Sequence, residues 1–451
     1  MKGYCIMKQF SRDFRIFPSV VPADCESTVT MYPQGENARF IPGKTYTVYI
    51  REVEHACVYY NAFPAAVYQC EANKDGSLSF THFFKGEQKH AVSVQRPEDE
   101  RHGIHYAINH RVRYDSDMTY QFYLYSLAPD LYGCRTLRGD LHCHTWESDG
   151  RQDAARTVGN YRAWGHDFLA ITDHYVHFAA EKAIKLFADA PLDMTLLFGE
   201  EVHLPTERIH AVHVGGRESV NADWRARPDE IRAEVAKIME ELTVDGDGNA
   251  EDYAWRIWIT RRSHEFGGLS LLTHPHWVWN YTYFMADVTT KQLLREGVHD
   301  AMEFNDSSSL DSTIALWADM RAEGLSIPIV GVSDGHNNDT TSGMPGGAHT
   351  VVVAKSRSFE DIAAAIRVGN CVAVDCTSGR PRIYGSSRMV KFVEFAMDAF
   401  YPMYEELCRP QGMLLSEWSL HGGDDTECVE LLRAHNARSE RYAKEFFGLK
   451  K

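Results

Sequence analysis

No pair of cysteines in this chain has Cys-x-x-Cys spacing. The ten cysteines are scattered, which excludes a zinc ribbon or a thioredoxin-like redox centre. Long apolar runs are also missing. No stretch approaches the roughly 18 residues that span a bilayer, and the opening Met-Lys-Gly-Tyr-Cys-Ile-Met-Lys has no apolar signal region. The expectation is a protein of the reducing cytoplasm with no membrane partner. Positive charge is in deficit, with 47 Lys and Arg against 63 Asp and Glu and a net charge of −16. A phosphate-backbone binder needs a basic face, so nucleic acid is not an expected partner. One acidic run, Asp245-Gly-Asp247-Gly-Asn249, opens like a calcium loop, but Ala250 replaces the turn glycine and Arg256 stands where the bidentate glutamate belongs.

At 451 residues, 44% hydrophobic and 24% charged, the chain is long enough for a large core and an accessory domain. Residues 1–134 show short alternating runs, Ser27–Met31, Lys44–Ile50, Ser77–Phe84, Ala91–Gln95, His105–Val112 and Thr119–Ser126, punctuated by Pro, Gly, Asn and Asp. This predicts an antiparallel β-sandwich domain. From about Cys134 apolar strands, polar clusters and helical patterns alternate, the grammar of parallel βαβ units. After about Pro381 the pattern is mostly helical, which predicts domains at 1–134, 135–380 and 381–451, the last a helical extension.

The polar clusters of the middle region fall at the C-terminal ends of the apolar runs, where β/α barrels gather active-site residues. His142 and His144 lie one residue apart, so on an extended strand both imidazoles project from one face, with Cys143 opposite. Asp149 follows in a Ser-Asp-Gly turn. Asp173-His174, Glu200-Glu201, His210 and His213, His274-Pro-His276 and Asp334-Gly-His336 complete the series. Imidazole and carboxylate without paired thiolate suit Zn, Mn or Fe. Six histidines and three carboxylates exceed the needs of one ion, so two or three divalent ions are expected, and such clusters carry out hydrolysis.

In order along the chain stand Asp-Leu-His-x-His-x-x-x-Ser-Asp-Gly, Thr-Asp-His, Gly-Glu-Glu-Val, His-x-x-His-Val-Gly-Gly, Leu-Thr-His-Pro, Met-Glu-Phe-Asn and Ser-Asp-Gly-His. Over about Leu137 to Val374 the sequence resembles the PHP (polymerase and histidinol phosphatase) metallohydrolases. The stretch from His349 to Asp375 resembles the branch containing the carbaryl-hydrolase-like members. The resemblance implies a distorted seven-stranded β/α barrel of PHP type with a trinuclear metal site.

Carried over by position, the resemblance implies that His142, His144 and Asp334 hold one ion, which shares a bridging Glu201 with a second ion on His213 and His274. Asp149, His174 and His336 would hold a third. Glu200 beside Glu201, and His210 near His213, remain open as alternatives. Glu201 and Asp334 would also act catalytically on water, while Arg151, His177 and His276 are candidate substrate contacts. The expected activity is a metal-dependent phosphoesterase acting on a small phosphate ester through a metal-bridging hydroxide. Carboxylic ester or carbamate hydrolysis at the same cluster, and a non-catalytic metal-stabilised binding domain, are the alternatives.

Overall fold

The structure is a computed structural model that describes residues 14–35, 39–54, 64–95, 119–205, 209–246, 248–305, 310–336, 347–377, 380–421 and 425–449. The chain forms two compact units, one of residues 1–134, 398–400 and 440–451, the other of residues 135–397 and 401–439.

In the first unit Phe14–Phe17, Cys25–Pro33 and Leu78–Phe84 form an antiparallel sheet. Val20–Pro22, Thr119–Leu127, Gln88–Gln95, Thr45–Glu52 and Ala66–Glu71 form a second, in that order. Alternation decides what each strand buries: Thr45–Glu52 turns Tyr46, Val48 and Ile50 inward. These meet Phe14, Val29 and Met31 of the other sheet in one apolar core, each side chain stabilising by about 1.5–3 kcal/mol. The strand expected at His105–Val112 lies outside the described residues.

Apart from a two-stranded hairpin at Val278–Trp279 and Thr282–Tyr283, the strands of the second unit are divided between two sheets. One has the order Thr195–Leu197, Phe168–Ala170, Arg135–Asp140, Ala348–Ala354, Cys371–Asp375 and Arg382–Gly385. The other runs Gly199–His203, His210–Val214, Leu269–Leu272, Ala301–Asn305 and Ile329–Val332. Apart from the edge strands Thr195–Leu197 and Arg382–Gly385, the strands are buried along their length, which explains their continuous apolar runs. A shared core takes Leu137 and Phe168 from the first sheet and Val212, Leu269 and Val330 from the second. Isolated bridges, Cys143 with Gly335 and His174 with Glu201, join segments near the ends of these strands. The order is not uniformly parallel, because Gly199–His203 and His210–Val214 form an antiparallel hairpin. Nor is the region after 380 wholly helical: Arg382–Gly385 is a strand on the edge of the first sheet.

Helices follow at Ser387–Ala399, Tyr401–His421 and Thr426–Phe447. The second of these packs on the helix Ala154–Ala163 through two glycines. A Cβ on Gly412 would stand 2.2 Å from the carbonyl oxygen of Gly159. Buried polar groups secure the same contact: Tyr404 Oη donates to Asp167 at 2.6 Å, and Arg162 donates to Gln411 at 2.5 Å and to Asp193 at 2.9 Å. No helix among the described residues is long and apolar enough to cross a membrane.

Candidate metal centre

The strand Arg135–Asp140 ends just before His142, and the chain continues extended beside Ser333–Gly335. Asp334 N donates to His142 O at 2.9 Å, and His144 N donates to Gly335 O at 3.0 Å. Buried Asp140 ties the two segments, accepting from His142 N, Ser333 N and Tyr161 Oη at 3.0–3.3 Å. Alternation then sends His142 and His144 to one side and Cys143 to the other, into an apolar cluster with Val158 and Leu169. Asp173 accepts four hydrogen bonds from Thr145 and Ser148, at 2.6–3.0 Å, and so shapes the turn that presents Asp149. Asp334 and His274 have φ of 48° and 24°. A non-glycine residue held there costs on the order of 1–3 kcal/mol, a strain that collects at functional sites.

These supports bring four donor groups together among the described residues, the fourth of them His174, Glu201 and His203. In the first, His142 Nε2, His144 Nε2 and Asp334 Oδ1 stand 3.1–3.3 Å apart, with Glu201 Oε2 3.4 and 3.5 Å from the two imidazoles. In the second, Glu201 Oε1 is 2.9 Å from His210 Nδ1 and 3.4 Å from His274 Nε2, and those two nitrogens are 3.4 Å apart. In the third, Asp149 Oδ1 lies 3.4 Å from His174 Nε2 and 3.3 Å from His336 Nε2. Donors bound to one ion at about 2.1 Å stand roughly 3–3.5 Å from each other. The residues therefore fit divalent ions. Glu201 Oε2 is buried with His174 Nδ1 at 2.7 Å and the imidazole nitrogens of His142, His144 and His203 at 3.4–3.6 Å, a carboxylate oxygen ringed by nitrogens that share its need for a cation.

The electrostatics of Glu201, Asp334, His144 and His210 point the same way, whereas the carboxylates facing His142, His174 and His336 raise those imidazoles against burial. Burial opposes charge on Glu201, but His210 and His142 outweigh it and hold the carboxyl well below its usual range. Burial opposes charge on Asp334 too, and His142 and His144 keep it low. His144 and His210 are each pushed down to about 4 by burial. Ionised carboxylates and neutral imidazoles are the states that ligands must adopt. Burial would also lower His174, yet its pairing with Asp149 and Glu201 lifts it to about 10.

His213 is not brought into these groups. In the hairpin Glu201 pairs with Val212 and His203 with His210, while Glu200 pairs with His213. Paired residues share a face, so Glu201, His203 and His210 lie on one side, and Glu200 and His213 on the other. His213 faces Glu218 O at 3.2 Å and is pushed down to about 4 by burial. Its ring explains the glycines of its motif: a Cβ on Gly216 or Gly268 would stand 2.3 or 2.5 Å from His213 Cε1. Glu200 is also buried, accepting from Val220 N at 2.5 Å, Ser219 Oγ at 2.7 Å and Asn221 Nδ2 at 3.0 Å, and so caps the helix Val220–Ala226.

None of the three candidate substrate contacts lines the cleft above the donors. Arg151 is exposed, and its backbone N–H donates to His336 O. His177 is buried between Glu181 and Gly216 O, both at 3.0 Å, and stacks on Phe198. His276 is buried with Thr313 and Asp287, each at 3.1 Å. In the calcium-like run Asn249 caps the helix Ala250–Glu265, Arg256 pairs with Asp252 at 3.2 Å, and Asp247 lies outside the described residues.

Two residues given no role from sequence, His203 and Glu303, stand against the donor groups, and His210, left open there beside His213, takes the place expected of His213. His203 lies 2.8 Å from His174 and stacks on His210 with centroids 3.9 Å apart; its spacing of two from Glu201 was the available signal. Glu303 is fully buried with both oxygens 3.2 Å from His142 Nδ1, which leaves Nε2 turned to the donor group. Its motif, Met-Glu-Phe-Asn, was visible, but nothing in it names the partner.

Members of each donor group line a cleft of about 1430 Å³, with His142 and His144 buried behind its wall. No family model and no curated protein matches the chain. Among solved structures it is similar to a two-domain protein from Bacteroides vulgatus containing a predicted PHP-like metal-dependent phosphoesterase, at 18% identity over 55% of this chain and 67% of that one, with a TM-score of 0.38. It is also similar to an amidohydrolase from Chromobacterium violaceum with bound sulfate and no metal, at 19% identity over 46% of this chain and 89% of that one, with a TM-score of 0.32. Both likenesses are distant.

Proposed function

We propose that the chain is a metal-dependent hydrolase of PHP type that cleaves a small phosphate ester at a cluster of two to three divalent ions, Mn, Zn or Fe. The observation that carries this reading is Glu201, whose two oxygens face different imidazoles, Oε2 toward His174, His142 and His144 and Oε1 toward His210 and His274. One carboxylate placed in two donor sets is the arrangement of a bridging ligand.

Bound there, divalent ions would polarise the phosphoryl oxygen and lower the pKa of water to the neutral range. Glu201 and Asp334 orient the attacking water and accept its hydrogen bonds at the floor of the cleft. Glu303 keeps the His142 ring turned toward Glu201 and Asp334. Asp149 and His336 are more exposed than the other donors, so their group stands where a phosphoryl oxygen can enter from solvent.

Phosphate monoesters, phosphodiesters and aryl carboxylic esters, assayed before and after chelation and with Mn or Zn restored, test this. Phosphate ester turnover that disappears on chelation and returns with metal is the expected result. Turnover of carboxylic esters alone would replace the reading with carboxylic ester or carbamate hydrolysis, and metal retention with no turnover of any ester would replace it with a binding domain.

A further inference from the structure

The chain between His274 and Asp287 is more than a connection. It leaves the donor group at His274, forms a short hairpin in which Val278–Trp279 pairs with Thr282–Tyr283, and returns at Phe284. Asn280 and Tyr281, with φ of 48° and 66°, make the tight turn. Phe284 N donates to Trp277 O at 2.7 Å and closes the base, while Trp277 N donates to His274 O at 3.0 Å. The register puts Trp277 and Phe284 on one face and Val278 and Tyr283 on the other. The outer face is braced by His276, whose ring meets Tyr283 edge-on at 4.9 Å.

The inner face meets the site. Phe284 lies 4.3 Å from the His210 ring, Trp277 lies 5.4 Å from His274, and Trp277 and Phe284 are 5.2 Å apart, all between centroids. Both side chains are half-buried and line the cleft, with Trp255 and Ile209 also on its wall. A continuous aromatic surface thus rises beside Glu201, His210 and His274. Outside the donor groups, the charged side chains lining the cleft among the described residues are Glu251 and Asp252. A second anionic group on the substrate would meet carboxylates there, whereas a flat uncharged ring would meet rings.

Resting on the hydrolase reading, we infer that Trp277 and Phe284 form a subsite for an uncharged aromatic group, so that the substrate is an aryl ester with the ester held at the donors and the ring against the hairpin. Sugar phosphates and nucleoside polyphosphates are the classes this wall disfavours.

Phenylphosphonate and methylphosphonate carry the same head group, and calorimetric titration of Mn-loaded protein with each isolates the contribution of the ring. The phenyl compound should bind about tenfold more tightly. Trp277→Leu and Phe284→Leu should each reduce that preference to about twofold with metal content retained, which shows that the fold and donors survive. Equal binding of the two compounds, binding of neither, or a preference unchanged in both variants would overturn the subsite. Turnover separates this from the hydrolase reading. Protein that prefers phenylphosphonate but hydrolyses no ester keeps the subsite and loses the reading. Equal kcat/KM for phenyl and methyl phosphate keeps the reading and loses the subsite.

Discussion

Glu200 and Glu201 are adjacent, fully buried carboxylates with opposite tasks. Glu201 is surrounded by imidazoles, and Glu200 by the backbone N–H groups and side chains that begin a helix. Glu201→Gln should abolish turnover and lower metal content, because a neutral amide is a poor bridge between two cations. Glu200→Gln should instead cost stability, about 1–3 kcal/mol from disturbed buried hydrogen bonds, with metal content retained. The same contrast holds for the histidines, with the order set by the hairpin register. His210→Ala should lose metal, and His213→Ala should leave a cavity between Gly216 and Gly268 and lower the melting temperature with metal retained. Elemental analysis beside a thermal melt reads all four variants, and metal loss in His213→Ala but not in His210→Ala would contradict the register. Glu303→Gln removes the charge behind His142 and should weaken metal affinity by about 10–100-fold, measured by competition with a chelator. Unchanged affinity would mean that the contact does not matter.

Among the elements, the helix pair Ala154–Ala163 and Tyr401–His421 has the least room for change. Gly412→Ala drives a Cβ into the carbonyl oxygen of Gly159, and such overpacking costs about 1–3 kcal/mol. A denaturant midpoint equal to that of the wild type would show that the helices do not meet there. This contact was not readable from sequence, since it joins residues far apart in the chain that carry no side chain to signal it. The strands and helices of the middle region were readable, because apolar runs and turn residues mark them locally. So were the positions of His142, His144, Asp149, His174, His274, Asp334 and His336, which follow strand ends. The choice between His210 and His213 was not, for it depends on the register of the hairpin across Leu204 to Ile209, and a slip of one residue exchanges the faces. Alternation still held the clue that Glu201, His203 and His210 share a face once that register is known. Glu303 was hidden for a related reason: its partner His142 follows a strand of the other sheet.

For the second unit as a whole, the neutral histidines buried beside Arg138 set a pH limit. His166 and His349 are held well below their usual range, first by burial and then by the Arg138 cation. The unfolded chain takes up protons at these positions near pH 6.5, and the folded unit refuses them. The contribution of these two histidines is therefore complete above about pH 6.5 and falls as pH drops below it toward the folded values, by up to about 1.4 kcal/mol per pH unit for each. Urea midpoints measured from pH 7.5 to 5 should show this decline, with a shallower slope in His349→Gln. An identical slope in the variant would remove His349 from the account. The central claim concerns the same unit and is tested most directly by elemental analysis of wild-type protein, expressed in metal-replete medium and purified without chelator. Two to three equivalents of divalent transition metal per chain are predicted, and one equivalent or fewer would contradict the cluster built around Glu201.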